Sequence, residues 1–372
     1  MKKKIMCVLG TRPEAVKMSP VVKALKSLDS CETIVVTTAQ HREMLDQMLA
    51  WFEIQPDIDL NLMQHGQSLT DLTARVLKAM DKLFLQEKPD LILVQGDTIT
   101  VMAASLAAFY HKIAVGHVEA GLRTHDMYNP FPEEMSRRQT AKLATLHFAP
   151  TQLAISNLAN EGIVENVYLT GNTVIDALID TASRLQKINM DESIFGKTDF
   201  RNYKVILVTA HRRENWDAMG DIAIALKQIV EKFNDVQILF PVHKNPLIRQ
   251  AIEKILSSHE RIIWVEPLDY VPFVYAMQNS YLILTDSGGI QEEAPSFSKP
   301  CLVLRTNTER PEAVQAGTAK LIGVKTKDIV SEVSKLITNN EIYVNMSSKA
   351  NPFGDGTAGQ KIAQIVQTYL SR

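Results

Sequence analysis

Short apolar runs alternate with amphipathic stretches from one end of the chain to the other. In the first half the runs Ile5–Leu9, Thr33–Thr38, Leu91–Gln95, Ala114–Glu119 and Leu146–Ala149 read as strands. Between them apolar residues recur at helical spacing, as over Leu69–Leu85 and Val101–Tyr110. Strands separated by such helices predict βαβ units and a parallel sheet. Leu91-Ile92-Leu93-Val94 is apolar without alternation, as expected of a strand covered on both faces. A second series begins near Tyr203, with runs Val205–Val208, Val236–Phe240, Ile262–Val265, Tyr281–Leu284 and Cys301–Leu304. The polar stretch Gln186–Asn202 lies between the series and has little periodicity. The pattern therefore predicts an α/β protein of two Rossmann-like domains, residues 1–171 and 172–358. The last helical pattern, within 359–372, is expected to pack back on the first domain.

The chain has 372 residues, which fits two domains of roughly 100–200 residues each. No apolar stretch approaches the ~20 residues needed to span a bilayer, so no membrane partner is expected. Met1-Lys2-Lys3-Lys4 is basic, but Ile5–Leu9 is shorter than a signal-peptide core of ~7–15 residues. Cys7, Cys31 and Cys301 are too few and too scattered for a disulfide framework or a metal site, which fits a reducing cytoplasm. A net charge of −2 gives no general attraction for nucleic acid. Any anion must be held by a local pocket.

Three motif matches are discounted. Gly354-Asp355-Gly356-Thr357-Ala358-Gly359 spells G-x-G-x-x-G, but Asn351-Pro352 stands where a strand should. A turn capping the last helix explains it better. Gly196-Lys197-Thr198 lacks the earlier glycine of a P-loop. Asp57-Ile58-Asp59 has a metal-binding look, yet a pair of solvated charges at a strand edge accounts for it.

Four constellations carry chemistry. Gly10-Thr11-Arg12-Pro13-Glu14, with Lys17, sits where the first strand hands over to a helix. Ligands of open α/β sheets bind at such carboxyl ends, and helix N–H groups favour anions. Thr285-Asp286-Ser287-Gly288-Gly289 precedes a helix carrying Glu292 and Glu293, with Arg310 just beyond the next strand. Such a turn can cradle phosphate or be a plain tight turn. Asp97 and Glu119 end neighbouring predicted strands, and Glu133 opens a helix after Pro132. Clustered carboxylates raise one another's proton affinity and suit acid–base work, although Asp97 could be an N-cap and Glu133 a first-turn charge. His211-Arg212-Arg213-Glu214 and Pro241-Val242-His243 place cations at the ends of second-series strands. Phe273 reads as core. Read from the residues alone, the chain is an enzyme acting on a nucleotide-activated substrate.

These segments resemble the bacterial non-hydrolysing UDP-N-acetylglucosamine 2-epimerases over almost the whole chain. The similarity runs through Gly10–Ala15, Thr38–Arg42, Gly96–Thr98, Gly116–Thr124, Pro132–Glu134, Thr170–Asp176, His211–Asn215, Thr285–Pro295 and Glu309–Ala313. It implies a glycosyltransferase-B fold, two Rossmann-like domains facing across a cleft, and a homodimer. It implies a cytoplasmic isomerase that interconverts UDP-GlcNAc and UDP-ManNAc by eliminating UDP to 2-acetamidoglucal and adding it back. Such an enzyme supplies sugars for bacterial surface polysaccharides and needs no redox cofactor or metal. By the same resemblance Asp97, Glu119 and Glu133 are catalytic carboxylates, and His211 acts beside them. Arg12, Lys17, His211, Ser287, Gly288 and Gly289 would hold the diphosphate. Glu293 would meet the ribose, Arg310 the nucleotide side, and Phe273 the uracil, which reverses its reading as core. Gln40, Glu43, Arg212 and His243 mark a second UDP-GlcNAc site that activates many bacterial members. The alternatives are a hydrolysing epimerase, a 2-epimerase of a related UDP-diacetamido-uronic acid, a glycosyltransferase and a sugar-nucleotide sensor.

Overall fold

The structure is a computed structural model that describes residues 2–38, 42–64, 66–242, 249, 252–253, 255–256 and 259–372, without the side chains of 42–44. The chain divides into two compact units, Met1–Ala177 with Phe353–Arg372, and Leu178–Pro352. The division falls inside helix α7 (Thr173–Leu185), not at residue 171.

Unit 1 holds β1 (Lys3–Leu9), β2 (Cys31–Thr37), β3 (Ile58–Asp59), β4 (Leu91–Gln95), β5 (Ala114–Val118), β6 (Leu146–Ala149) and β7 (Val167–Leu169). They form one seven-stranded sheet in the order β3-β2-β1-β4-β5-β6-β7. Every pairing is parallel. The order reverses direction between β1 and β4, which are hydrogen-bonded neighbours. Such a switch point opens a crevice at the carboxyl ends of its strands. Helices α3 (Leu69–Glu87) and α4 (Ile99–Tyr110) bury Val76, Met80, Phe84, Ala103 and Ala107 against Met6, Val8, Ile92 and Val94 of the sheet. Helix α1 (Arg12–Lys26) covers the sheet as well, and the C-terminal helix Ala358–Leu370 packs on α1. That contact is close: a Cβ on Gly359 would lie 2.8 Å from the carbonyl carbon of Pro20.

Unit 2 holds β8 (Lys204–Thr209), β9 (Val236–Pro241), β10 (Ile262–Val265), β11 (Leu282–Thr285), β12 (Cys301–Val303) and β13 (Ala319–Leu321). The sheet order is β10-β9-β8-β11-β12-β13, again all parallel. Its switch point lies between β8 and β11. Helix α8 (Met219–Lys232) seals one face with Ile222, Leu226 and Ile229 against Ile206, Val208, Ile238 and Leu284.

Strands β3, β7 and β13 go beyond the sequence prediction. Each is only two or three residues long and at least partly exposed, so none produces an apolar run. Asp57-Ile58-Asp59 does stand at a strand edge. Asp57 is not simply solvated, because its carboxylate accepts from the Val35 amide at 2.7 Å.

Candidate active site

In unit 1 the site starts at the turn after β1. Glu14 reaches back from the first turn of α1 and accepts from the Gly10 amide, and from the Thr11 amide at 3.2 Å. This carboxyl is buried. Burial pushes its pKa up to about 7, against the pull of the Thr98 hydroxyl and the two amides. A Cβ on Gly10 would lie 2.9 Å from the Thr100 hydroxyl and 3.0 Å from that of Thr38. The glycine therefore makes room for the protein's own polar cluster. Arg12, the first residue of α1, is partly exposed and makes no ion pair among the described residues.

Asp97 and Glu119 leave the adjacent strands β4 and β5. The helix after Asp97 is capped by Thr98, whose hydroxyl accepts from Val101 N, so Asp97 is not the cap. Asp97 is instead gripped by Arg137, with Nε and Nη2 at 2.8 and 2.7 Å from Oδ2. Arg137 lies one turn along helix α5 (Glu133–Leu143), which Glu133 opens. Glu133 Oε2 is buried without a hydrogen-bond partner among the described residues. The next residue, Glu134, is fully buried between Arg137 at 3.3 Å and Arg138 at 3.0 Å. Burial opposes its charge, but the Thr124 amide and these arginines hold its pKa below the usual carboxylate range.

Strand β5 stops one residue short of the predicted Glu119, which adopts a left-handed φ of 65°. A non-glycine residue there is strained, and a dense set of contacts must hold it. Lys17 Nζ lies 2.6 and 2.8 Å from the two Glu119 oxygens. Asn172 Nδ2 donates to Oε1 at 3.0 Å, and Gln95 donates to Oε2. Behind them His117 Nε2 meets the Gly96 carbonyl at 2.7 Å and supports the turn that carries Asp97. Burial lowers the His117 pKa to about 3, so the ring is neutral.

In unit 2 the corresponding switch point gathers His211 and Arg212 after β8 with Asp286 to Gly289 after β11. Asp286 is completely buried. Its Oδ2 accepts from the amides of His211 and Arg212, both at 2.9 Å, and from Asn215 Nδ2 at 3.1 Å. Its Oδ1 lies 3.2 Å from His211 Nδ1. The half-exposed imidazole thus sits within ion-pair distance of a buried carboxylate oxygen, with no hydrogen bond between them. Ser287 precedes the short helix Gly288–Glu293. A Cβ on Gly288 would lie 3.8 Å from both Arg212 Nη2 and Arg310 Cζ, so two guanidinium groups flank this turn. Arg310 is anchored by buried Glu292, and Arg212 pairs with Glu309 at 3.2 Å. Glu293 ends the helix, and Phe273 lies partly buried on the helix Tyr270–Asn279. Burial, and then the charge of Glu293, push the pKa of the Tyr270 hydroxyl up.

The model for "UDP-N-acetylglucosamine 2-epimerase" matches residues 23–367. The chain belongs to this family. It is 50% identical over 371 residues to the UDP-N-acetylglucosamine 2-epimerase of Yersinia pestis, covering 98% of this chain and 99% of that one. It is 48% identical over 369 residues to the enzyme of that name from Escherichia coli K12, covering 98% of both chains. The crystal structure of the Neisseria meningitidis UDP-GlcNAc 2-epimerase bound to UDP-GlcNAc superposes with a TM-score of 0.86 at 47% identity, covering 99% of this chain and 100% of that one.

Within this epimerase fold the sequence marked the strand-end carboxylates but not what holds them. Glu14, Gln95, Glu134, Arg137 and Asn172 in unit 1, and Asn215, Asp286 and Glu292 in unit 2, were missed as site residues. Most partners lie far apart in sequence, and no local pattern links them. The available signals were a polar residue at the end of an apolar strand, such as Gln95, and the quoted motifs that already held Glu14, Glu134, Asn172, Asn215, Asp286 and Glu292 without a role. Arg212 stands beside Gly288, with the residues expected to hold phosphate. Gln40, His243 and the side chain of Glu43, suggested as a second nucleotide-sugar site, lie outside the described residues. Gly354–Gly359 forms no phosphate loop: Asp355 accepts from the Thr357 amide at 3.1 Å, and Thr357 precedes the last helix. Among the described residues no group of three or more His, Cys, Asp or Glu could hold a metal, and no helix is long and apolar enough to cross a membrane.

Proposed function

We propose that this protein is a UDP-N-acetylglucosamine 2-epimerase of the non-hydrolysing kind, interconverting UDP-GlcNAc and UDP-ManNAc. The observation that carries the reading is that Asp97 and Glu119 follow the ends of adjacent strands, with helix α5, which Glu133 opens, tied to Asp97 through Arg137. The C2 proton of the substrate has no neighbouring carbonyl to acidify it. The reaction therefore breaks the C1–O bond, UDP leaves with the electron pair, and a carboxylate takes the C2 proton. A proton returned to the opposite face of the 2-acetamidoglucal, with re-addition of UDP, gives the epimer. Proton transfer is the work of the carboxylates. Charge on departing UDP is the work of Arg12, His211, Arg212 and Arg310, with Ser287, Gly288 and Gly289 on phosphate. Glu293 and Phe273 serve the ribose and the uracil. In this reading the enzyme is a cytoplasmic homodimer, and elimination and re-addition require neither a redox cofactor nor a metal.

Incubation with UDP-GlcNAc alone, followed by ³¹P and ¹H NMR, tests it. The expected result is a mixture of two UDP-sugars with little free UDP. Free N-acetylmannosamine with stoichiometric UDP would show the hydrolysing reaction instead, and an unchanged substrate would reject epimerisation.

A further inference from the structure

The three carboxylates are held in different ways. Asp97 rests on one guanidinium. Glu133 has a buried oxygen with no hydrogen-bond partner among the described residues. Among the described contacts, Glu119 accepts from Lys17 on both oxygens, from Asn172 on one and from Gln95 on the other. Its side chain is 6% exposed, and the lysine that faces it is 21% exposed. The donors come from three separate elements: α1, the end of β4, and the segment before α7. His117, on β5, lies beside this turn, and its ring nitrogen is used by the Gly96 carbonyl. A proton on either Glu119 oxygen would set a donor against a donor. Charge-assisted bonds of this kind are short and directional, and they favour the ionised form.

We infer that Lys17 is a positioning residue that locks Glu119 as a permanent anion, so that Glu119 acts by charge and does not carry the proton. Lys17 stands five residues after Arg12 on α1, which suggested a phosphate ligand. Its ammonium instead pairs with Glu119 at 2.6 Å. The left-handed backbone of Glu119 fits the same role, since strain is tolerated where a side chain must sit in one place. Proton transfer then falls to Asp97 and Glu133. The inference rests on the epimerase reading only for the meaning of "proton" and "charge"; the lock itself is a property of this chain.

Two measurements test it separately. In the first, ¹³C-glutamate NMR follows the Glu119 carboxyl carbon, assigned by its loss in Glu119→Gln. The wild-type signal should stay at the carboxylate position from pH 5 to 9. In Lys17→Met it should titrate within that range, because the buried carboxylate has lost its counterion. A wild-type signal that titrates there overturns the lock, whether or not the protein turns over UDP-GlcNAc. In the second, the mutant cycle is read in turnover and in UDP calorimetry. Lys17→Met should lower kcat by 10²-fold or more with UDP affinity changed less than threefold. Adding it to Glu119→Gln should cost less than threefold further, since both act through one carboxylate. Lys17→Arg should recover part of the loss. A tenfold weaker UDP affinity with kcat intact, or losses that multiply in the double variant, would make Lys17 a phosphate ligand. If Lys17→Met does not fold, Lys17→Gln is read against the same limits. A locked Glu119 in a protein that never epimerises UDP-GlcNAc would sink the functional reading and leave the lock standing.

Discussion

Asp286 shows how much of this site depends on single buried groups. One oxygen collects the His211 and Arg212 amides and the Asn215 side chain, and the other lies against the imidazole. Asp286→Asn keeps the shape but puts an N–H₂ where donors already converge. Hydrogen bonds to charged groups contribute about 1.5–3 kcal/mol, so the His211 turn should loosen. Calorimetry should show UDP binding weakened by a factor of ten or more, together with a lower melting temperature; unchanged affinity would separate this turn from the nucleotide. Asp97→Asn and Glu133→Gln address the proton. Each should leave UDP binding intact and slow epimerisation by about 10²–10⁴-fold, the usual contribution of a general acid or base. Near-normal turnover in both would return them to a helix-turn charge and an Arg137 partner. His117 gives a prediction in pH. Its folded pKa of about 3 is below the ordinary histidine value of 6.5, so only the unfolded chain binds this proton between those values. The stability it contributes is complete above pH 6.5 and is lost as pH falls towards 3. His117→Gln keeps a donor for the Gly96 carbonyl and removes the titration. Denaturant melts at pH 7 and pH 5 should differ by about 2 kcal/mol less in the variant than in the wild type. An equal difference would mean that His117 is not buried as a neutral ring.

At the scale of elements, the C-terminal helix belongs with α1, and Gly359 sets how closely they cross. A methyl group there would fall within 3 Å of three atoms of Pro20. Overpacking of this kind costs about 1–3 kcal/mol. Gly359→Ala should therefore lower the melting temperature by several degrees while the unit 2 turn keeps its UDP affinity; a neutral substitution would show that the helix can shift freely. Gly359 closes the G-x-G-x-x-G look-alike, so its role is packing and not phosphate. The long strands were legible because β1, β2, β4, β8 and β9 each carry three or more consecutive buried apolar residues, such as Leu91–Val94 in β4 and Ile238–Phe240 in β9. The short edge strands β3, β7 and β13 leave no such trace. Strand starts were legible to within two residues and carboxyl ends to within one. Glu119 was counted in β5 by its neighbours, yet its left-handed φ takes it out of the ladder. That departure turns its carboxylate towards Lys17, which lies 102 positions away in the chain. Pairings of this length are set by topology, and a linear pattern does not carry them.

Taken whole, the chain uses one sheet order twice. Each unit places its polar turns at the point where the strand order reverses, unit 1 with carboxylates and their counterions, unit 2 with two arginines around Ser287-Gly288-Gly289. The division of labour makes the two halves separately testable. Ser287→Ala and Arg310→Ala should weaken UDP binding without changing the fate of the C2 proton in whatever turnover remains, and a variant that bound UDP as tightly as wild type would move the diphosphate elsewhere.

The chemistry itself is read most directly by running the wild-type reaction in D₂O and examining C2 of the products by ¹H NMR. Elimination to 2-acetamidoglucal hands the C2 proton to a side chain that exchanges with solvent. UDP-ManNAc should therefore form with deuterium at C2, and the label should also enter the UDP-GlcNAc pool as the reaction approaches equilibrium. UDP-ManNAc that keeps its original C2 proton would contradict proton transfer through exchangeable carboxylates, and with it the account given for this site.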